Sequence, residues 1–287
     1  MESLSKKETV DVCSNILKTS PPGEFNEVFN DIRGLVNNDS LLREGCGPAA
    51  VSYNKENYIQ VVDKSLKHPT LITEYNELKN GRFLEPQSNV TFKYDHFTKD
   101  VDDVQPAEHP AYSDELNNWR KVIQREANAY MEKCFKGVGV ASVFVNNGAL
   151  VLCIESHQFR PSAYWNGRWR STWHIPAYTN TDTLEFKGKL KIHTHYFEDG
   201  NVQLINNQNL SAKAVSTSLD GMAVEVLKAV VKLEDAYQIT VQDTYMNSIE
   251  DTFKQIRRQL PITRTKIDWA KAHTHTYRIG QDMKPTL

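Results

Sequence analysis

The chain has 287 residues, of which 39% are apolar and 24% are charged, and this balance excludes wholesale disorder because such a chain can bury a substantial core. It has no N-terminal apolar h-region and no apolar run long enough to cross a bilayer, so neither a secretory signal nor a membrane span is predicted. Four widely separated cysteines without a Cys-x-x-Cys pair indicate neither a zinc site nor a disulfide framework, and we expect a cytosolic protein.

The N-terminal part has helical periodicity. Apolar residues recur at intervals of three and four within 10–17 and within 25–36, and Pro21-Pro22-Gly23 separates these two predicted helices. Asn37-Asn38-Asp39-Ser40 ends the second helix, and a third, short helix is predicted to begin near Leu41. Connections this short favour an antiparallel helical bundle.

From about Tyr58 the apolar period changes to two, which is typical of half-buried strands such as the one predicted around Val90, Phe92 and Tyr94. One helix interrupts the strands, with a shared apolar face formed by Leu116, Trp119, Ile123, Ala127, Tyr130 and Cys134. The dipeptides Asn147-Gly148 and Asp199-Gly200 predict β-hairpins, because a type I′ turn needs positive φ at both central residues. The predicted strands 138–145, 150–157, 169–175, 184–197 and 202–205 form an antiparallel meander.

The last third predicts a long helix followed by a basic tail. Apolar residues step by three or four from Leu219 to Leu260, with a break expected near Thr244 to Ser248, and Pro261 ends the helix. From Glu250 onward, eight Lys or Arg and four Asp or Glu give a net charge of +4, whereas the remainder of the chain carries −6. The asymmetry indicates an acidic partner for this segment, although a solvated basic tail would have the same charges.

Two histidines invite an enzyme interpretation, but the pattern around them disfavours it. His193 and His195 are predicted to share a strand face with Lys189 and Lys191, and two ammonium groups make a metal cation unfavourable there. The sequence contains no Gly-x-Gly-x-x-Gly, no P-loop and no His-Glu-x-x-His motif. Nothing in it supports an enzyme.

Two further rows of side chains have a structural interpretation. Cys153, Glu155 and His157 alternate onto one strand face, but the first and last lie about 13 Å apart at roughly 3.3 Å per residue, too far for a nucleophile and its base. They are interpreted as an interior polar cluster or a surface row. Trp169 and Trp173 are also predicted to share a face, where core or subunit packing is favoured over a peptide-binding groove.

The basic segment carries the clearest functional signal. Phe253, Ile256 and Leu260 lie within about 60° of one another on a helix of roughly 100° per residue. The adjoining arc holds Lys254, Arg257 and Arg258. Cations in a last helical turn also interact favourably with the helix dipole, but that effect does not explain the cations beyond Pro261. The apolar residues of the tail suggest an arm that docks into a partner groove, with a membrane-surface helix as the rival and nucleic acid disfavoured by the absence of a recognition motif.

Several long motifs resemble one family. They are PPGEFNEVFNDIR at 21–33, LLREG at 41–45, NGRFL at 80–84, CIESHQF at 153–159, WNGRWRS at 165–171, YFEDGNVQL at 196–204 and RRQLPITRTKIDW at 257–269. Together they resemble the alpha subunit of the heterodimeric F-actin capping protein, and the resemblance covers nearly the whole chain.

The resemblance implies an α+β fold in four segments. Residues 1–57 would form an N-terminal three-helix stalk, and 58–215 a central antiparallel β-sheet with one helix at about 112–136. Residues 216–260 would form a long helix over the sheet, and 261–287 a C-terminal amphipathic tentacle. A beta subunit would continue the sheet and complete a pseudo-symmetric heterodimer.

The resemblance also implies a binding function rather than catalysis. The heterodimer would cap the barbed end of actin filaments in a calcium-independent manner, in the cytoplasm and cytoskeleton, without cofactor, metal or nucleic acid. The actin-binding residues would be Lys254, Arg257, Arg258, Arg264, Lys266, Ile267, Trp269 and Lys271. Phosphoinositides, myotrophin and peptides with the capping-protein-interaction motif would be regulators.

Two alternatives stay open at this point. The same basic tail would suit a cytosolic adaptor that binds membranes or phosphoinositides. A metal-dependent hydrolase built on His193 and His195 is the third hypothesis.

Overall fold

A computed structural model describes residues 5–108, 113–135, 138–179, 181–198 and 201–247. These ranges contain five α-helices and ten β-strands, and the strands form antiparallel sheets of two, three and five strands. The α+β class predicted from the sequence is therefore confirmed. Contacts between Cα atoms group the chain into two compact units, Met1–Glu234 and Asp235–Leu287. No helix within the described ranges is long and apolar enough to cross a membrane.

Three helices open the chain: α1 (Lys6–Lys18), α2 (Phe25–Val36) and α3 (Asp39–Glu56). Ser5 begins α1 with a capping box, since its hydroxyl accepts from the Glu8 amide while the Glu8 carboxylate accepts from the Ser5 amide. The predicted first and second helices are confirmed.

The third helix has 18 residues, so the prediction of a short helix is wrong. Gly45, Gly47 and Pro48 lower its intrinsic helix propensity. Packing outweighs that cost, because Leu42 and Tyr53, on either side of this weak stretch, are buried among the other helices.

Five short strands follow α3. The pair β1 (Gln60–Val61) and β2 (Thr70–Leu71) forms one small sheet. A second sheet contains three strands in the order β3 (Arg82–Glu85), β4 (Val90–Tyr94) and β5 (Val101–Pro106). The predicted strand around Val90 is thus confirmed, and Phe92 within it packs in the same core cluster as the N-terminal helices.

The helix α4 (Asp114–Cys134) precedes the large sheet, and its predicted position is confirmed. That sheet contains β6 (Gly139–Asn146), β7 (Ala149–Arg160), β8 (Trp165–Ile175), β9 (Thr183–Tyr196) and β10 (Val202–Val215). Neighbours in sequence are antiparallel neighbours in space, which confirms the meander. Asn147 and Gly148 have φ of 50° and 77°, as the predicted hairpin requires. The other predicted turn, Asp199-Gly200, lies outside the described residues.

One face of the large sheet holds the main core. It packs against α4 and against α5 (Leu219–Asn247) as far as Val230. Trp173 is fully buried there, which confirms core packing for this tryptophan. Gly188 lies opposite it on β9, where a Cβ atom would come within 2.2 Å of the Trp173 ring. Only glycine leaves room for that indole.

Candidate functional site

The outer edge of the large sheet is one candidate binding surface. β10 pairs with β9 along its whole length, and within the described ranges no strand pairs with its other side. Large apolar side chains on β10 are exposed, with Val202 at 50%, Ile205 at 52% and Val215 at 61%. A long edge strand offers unpaired N–H and C=O groups to any incoming strand. The edge is therefore suited to pairing with another chain.

β10 is much longer than predicted, since the predicted strand ended at Ile205 and the observed one ends at Val215. Its middle contains Asn206, Asn207 and Asn209, and asparagine is depleted in strands. Most of the strand is exposed, so it also lacks the apolar alternation that reveals a half-buried strand. Pairing with β9 determines its length, and that pairing leaves no local signal in the sequence.

The sheet face opposite the main core, here called the polar face, carries a buried ion pair. Arg168 Nε donates to Glu155 Oε1 at 3.0 Å, and both side chains are almost completely buried. His157 Nδ1 lies 3.1 Å from the same carboxylate oxygen, and Gln60 Nε2 donates to the other oxygen at 2.6 Å. Of the two interpretations of this row, an interior polar cluster or a surface row, the interior cluster is confirmed for Glu155, whereas Cys153 packs in an apolar cluster. A buried carboxylate with these partners connects β7, β8 and the segment after α3 in the interior.

A second polar cluster joins β8 and β9 to the residue that precedes α2. Glu24 Oε1 lies 2.6 Å from His195 Nδ1 and accepts a hydrogen bond from Asn166 Nδ2 at 2.9 Å. His195 Nε2 lies 3.0 Å from Asn201 Oδ1, so both ring nitrogens are engaged. Glu24 belongs to the PPGEF motif, and its contact with the sheet gives that motif a structural reason.

The two strand histidines contact side-chain amide oxygens. His193 Nε2 lies 2.9 Å from Gln203 Oε1, and burial lowers the pKa of His193 below its usual value. In the described part of the chain, no three His, Cys, Asp or Glu side chains converge as a metal site would require. Lys191, on the same face as the sequence predicted, pairs with Glu56 of α3 at 2.7 Å. The polar face therefore holds the N-terminal helices through hydrogen bonds and ion pairs.

A buried carboxyl group connects α5 to the main core. Glu234 is 2% exposed, and it accepts hydrogen bonds from Tyr130 Oη at 2.8 Å and from Trp173 Nε1 at 3.1 Å. Burial raises the pKa of Glu234 above its usual value, although hydrogen bonds to the carboxylate oppose this shift. The sequence pattern placed Leu233 and Tyr237 on the apolar stripe and gave no indication that this glutamate is buried.

All eight predicted actin-binding residues lie outside the described residues. They are Lys254, Arg257, Arg258, Arg264, Lys266, Ile267, Trp269 and Lys271, and their assignment stays a prediction. The same holds for the helix end at Pro261 and for the tentacle at 261–287. Within the described ranges, the predicted long helix is present from Leu219 to Asn247.

Comparisons with known proteins identify the family. A family model described as F-actin capping protein alpha subunit matches residues 13–282. The F-actin-capping protein subunit alpha of Caenorhabditis elegans is 44% identical over 99% of this chain and 100% of its own length. The Dictyostelium discoideum protein of the same name is 32% identical over 93% of this chain and 95% of its own. The chain belongs to the F-actin capping protein alpha subunit family, as the sequence motifs predicted.

A solved structure has the same fold. The homodimeric actin capping protein alpha subunit from Plasmodium berghei superimposes with a TM-score of 0.76 over 90% of this chain and 99% of that one. Only 19% of the aligned residues are identical, so this likeness concerns the fold alone.

Proposed function

We propose that this chain, paired with a beta subunit, caps the barbed end of actin filaments and blocks both addition and loss of actin subunits, independently of calcium. The observation that carries the proposal is similarity along nearly the whole chain to proteins named F-actin-capping protein subunit alpha. This similarity favours capping over a membrane- or phosphoinositide-binding adaptor. In this role the chain binds and does not catalyse, and it acts in the cytoplasm at the cytoskeleton.

The β10 edge is the proposed junction with the beta subunit. A strand from the partner would pair with β10 and extend the five-stranded sheet, and it would cover the exposed Val202 and Ile205. The competing occupant is a second copy of this chain, because the Plasmodium berghei protein is described as homodimeric. In this proposal, residues 1–57 form the stalk of the heterodimer.

Co-purification distinguishes the two occupants. Tagged chain expressed with a beta subunit should recover that subunit in equal amount, and Ile205→Lys should weaken the recovery by placing an unpaired ammonium in the junction. Val62→Lys is the matched control, because Val62 is also exposed but lies outside the large sheet. Recovery of a second copy in place of the beta subunit would contradict the heterodimer.

The proposed actin-binding surface is basic and C-terminal. Its cations would speed the encounter with acidic actin, and the apolar residues of the tentacle, including Ile267 and Trp269, would slow release. Phosphoinositides, myotrophin and capping-protein-interaction peptides are the proposed regulators of the dimer. This part of the proposal rests on the matching motif at 257–269.

Charge reversal tests the surface. The double variant Arg258→Glu with Arg264→Glu should weaken capping and flatten its dependence on salt, because both cations would act on the encounter rate. The matched control is Lys6→Glu with Lys7→Glu, two exposed cations on α1 that give the same change in net charge. Equal capping by the 258/264 variant and the wild type would refute the site assignment. Equal loss in both variants would show that net charge, rather than this surface, controls capping.

A further inference from the structure

A cleft of about 660 Å³ lies between α3 and the polar face of the large sheet. Pro48 and Val51 of α3 line one side, Arg170 and Thr172 of β8 line the sheet side, and Tyr58 and Tyr75 contribute aromatic rings. Its volume falls within the range of small-molecule sites, which usually combine apolar walls with a few polar groups. The proposed capping surface uses none of these residues.

Some charged side chains of the cleft have an ion-pair partner and others do not. Lys191 pairs with Glu56 at 2.7 Å, and Lys55 pairs with Glu77 at 2.7 Å. By contrast, Arg170 and Lys189 have no carboxylate within 4.0 Å anywhere in the described ranges, although both line the cleft. The cleft therefore contains two cations without a direct ion pair, and the Glu56 carboxylate acts on both of them from a longer distance.

Arg170 is the more informative of these cations. It is 4% exposed, its Nη1 donates to the Glu56 carbonyl oxygen, and its Nε has no hydrogen-bond partner in the described structure. Burial lowers the pKa of Arg170 to about 10, so it keeps its charge at neutral pH. Burying a guanidinium without an ion-pair partner is costly, and an anion in the cleft would offset this cost because Arg170 lines the cleft.

The neighbouring groups define the class of anion. Lys189 is the cross-strand partner of Thr172, and the Thr172 hydroxyl lies 2.6 Å from the Tyr58 hydroxyl. Two cations with adjacent hydroxyls suit a doubly charged phosphate, which guanidinium groups bind through paired hydrogen bonds. The rings of Tyr58 and Tyr75 offer an apolar surface for an attached organic group. Glu74, the other carboxylate of the lining besides Glu56, is exposed to water, and so is Lys189, so both of these charges are screened. The buried Arg170 is therefore the stronger of the two cations.

We propose that this cleft binds a phosphate monoester, with the phosphate at Arg170 and Lys189 and the organic group at Tyr58 and Tyr75. The site is separate from the proposed capping surface, and its existence does not depend on the capping function. Such a ligand would connect α3 to β8 and β9, and it would stabilise the N-terminal helices on the sheet.

Calorimetric titration of the complete protein in its native dimer with phenyl phosphate tests the proposal. Saturable binding that weakens as salt increases is expected, and inorganic phosphate should bind less tightly because it lacks the aromatic ring. Lys189→Ala should weaken phenyl phosphate binding about tenfold, since it removes one charged contact. Lys187→Ala is the matched control, because Lys187 is an exposed cation two residues away on the same strand face and does not line the cleft.

A parallel measurement identifies the source of the phosphate. Vesicles of phosphatidylcholine with phosphatidic acid present the monoester on a lipid. If the protein binds the vesicles and Lys189→Ala weakens that binding, the ligand is carried on a lipid. If the protein binds phenyl phosphate but not the vesicles, the ligand is soluble. No saturable binding of phenyl phosphate, or equal losses in the Lys187 and Lys189 variants, would overturn the proposal. Capping assays on the same samples show separately whether the proposed function holds.

Discussion

Replacing Glu234 tests how α5 is fixed to the main core. Its carboxyl group accepts hydrogen bonds from Tyr130 on α4 and from Trp173 on β8, and it is almost completely buried. Glu234→Ala removes both acceptor contacts and leaves a cavity. At about 1.5 kcal/mol for each hydrogen bond to a charged or strongly polar group, the loss in free energy of unfolding should be about 3 kcal/mol.

Glu234→Gln separates the charge from the hydrogen bonds. The amide keeps an oxygen acceptor but cannot ionise. Burial raises the pKa of Glu234 above its usual value of 4.5, so the folded protein holds this proton more tightly than the unfolded chain does. The stabilising contribution of Glu234 is therefore complete below its unfolded pKa and is lost as pH rises through the folded pKa. The glutamine variant should gain stability relative to the wild type as pH rises above 4.5 and through the raised pKa of Glu234.

Urea unfolding at fixed protein concentration measures both effects. Glu225→Ala is the matched control, because Glu225 is on the same helix and pairs with Lys228 near the surface. Its replacement should change the free energy of unfolding by less than about 1 kcal/mol. An alanine variant at 234 no less stable than this control would refute the role of the buried carboxyl group. A pH-independent difference between Glu234→Gln and the wild type would refute the raised pKa.

The other predictions concern the polar face and two glycines. Arg168→Ala should lower the free energy of unfolding by about 3 to 5 kcal/mol, because it leaves the buried Glu155 carboxylate without its guanidinium partner, and urea unfolding measures this loss. Gly188→Ala should lower the thermal unfolding midpoint, since its Cβ would overlap the Trp173 ring, and an unchanged midpoint would contradict the close packing. Gly47→Ala is the opposite case: nothing lies within 4 Å of the added Cβ, so helix propensity should stabilise α3 by about 0.5 to 1 kcal/mol in the same melts.

The sequence predicted the meander because its signals are local. Asn147 and Gly148 specify a hairpin through their own φ preferences, and the alternation on β7 places Glu155 and His157 on one face without reference to any distant residue. Both features are confirmed, so the period of the strands and the residue preferences of the turn were sufficient to predict this part of the sheet. The helical stripes of α1 and α2 were predictable for the same reason.

Features that depend on distant partners were missed. The contact between His195 and Glu24 joins residues 171 positions apart, and no local pattern specifies it. The burial of Glu234 depends on hydrogen-bond donors from α4 and β8, so its position in the helix does not predict that it is buried. In α3, tertiary packing outweighed the low helix propensity of a segment that contains Pro48. The basic C-terminal segment lies outside the described residues, so its predicted role rests on motif and charge.

Seeded elongation of actin filaments from their barbed ends tests the proposed function most directly. The purified chain with its beta subunit should stop barbed-end growth at nanomolar concentration, equally with calcium and with a calcium chelator. Pyrene-actin fluorescence reports the growth rate, and the 258/264 charge-reversal dimer should require a higher concentration for the same effect. Barbed-end growth that continues unchanged at saturating dimer would contradict the capping function.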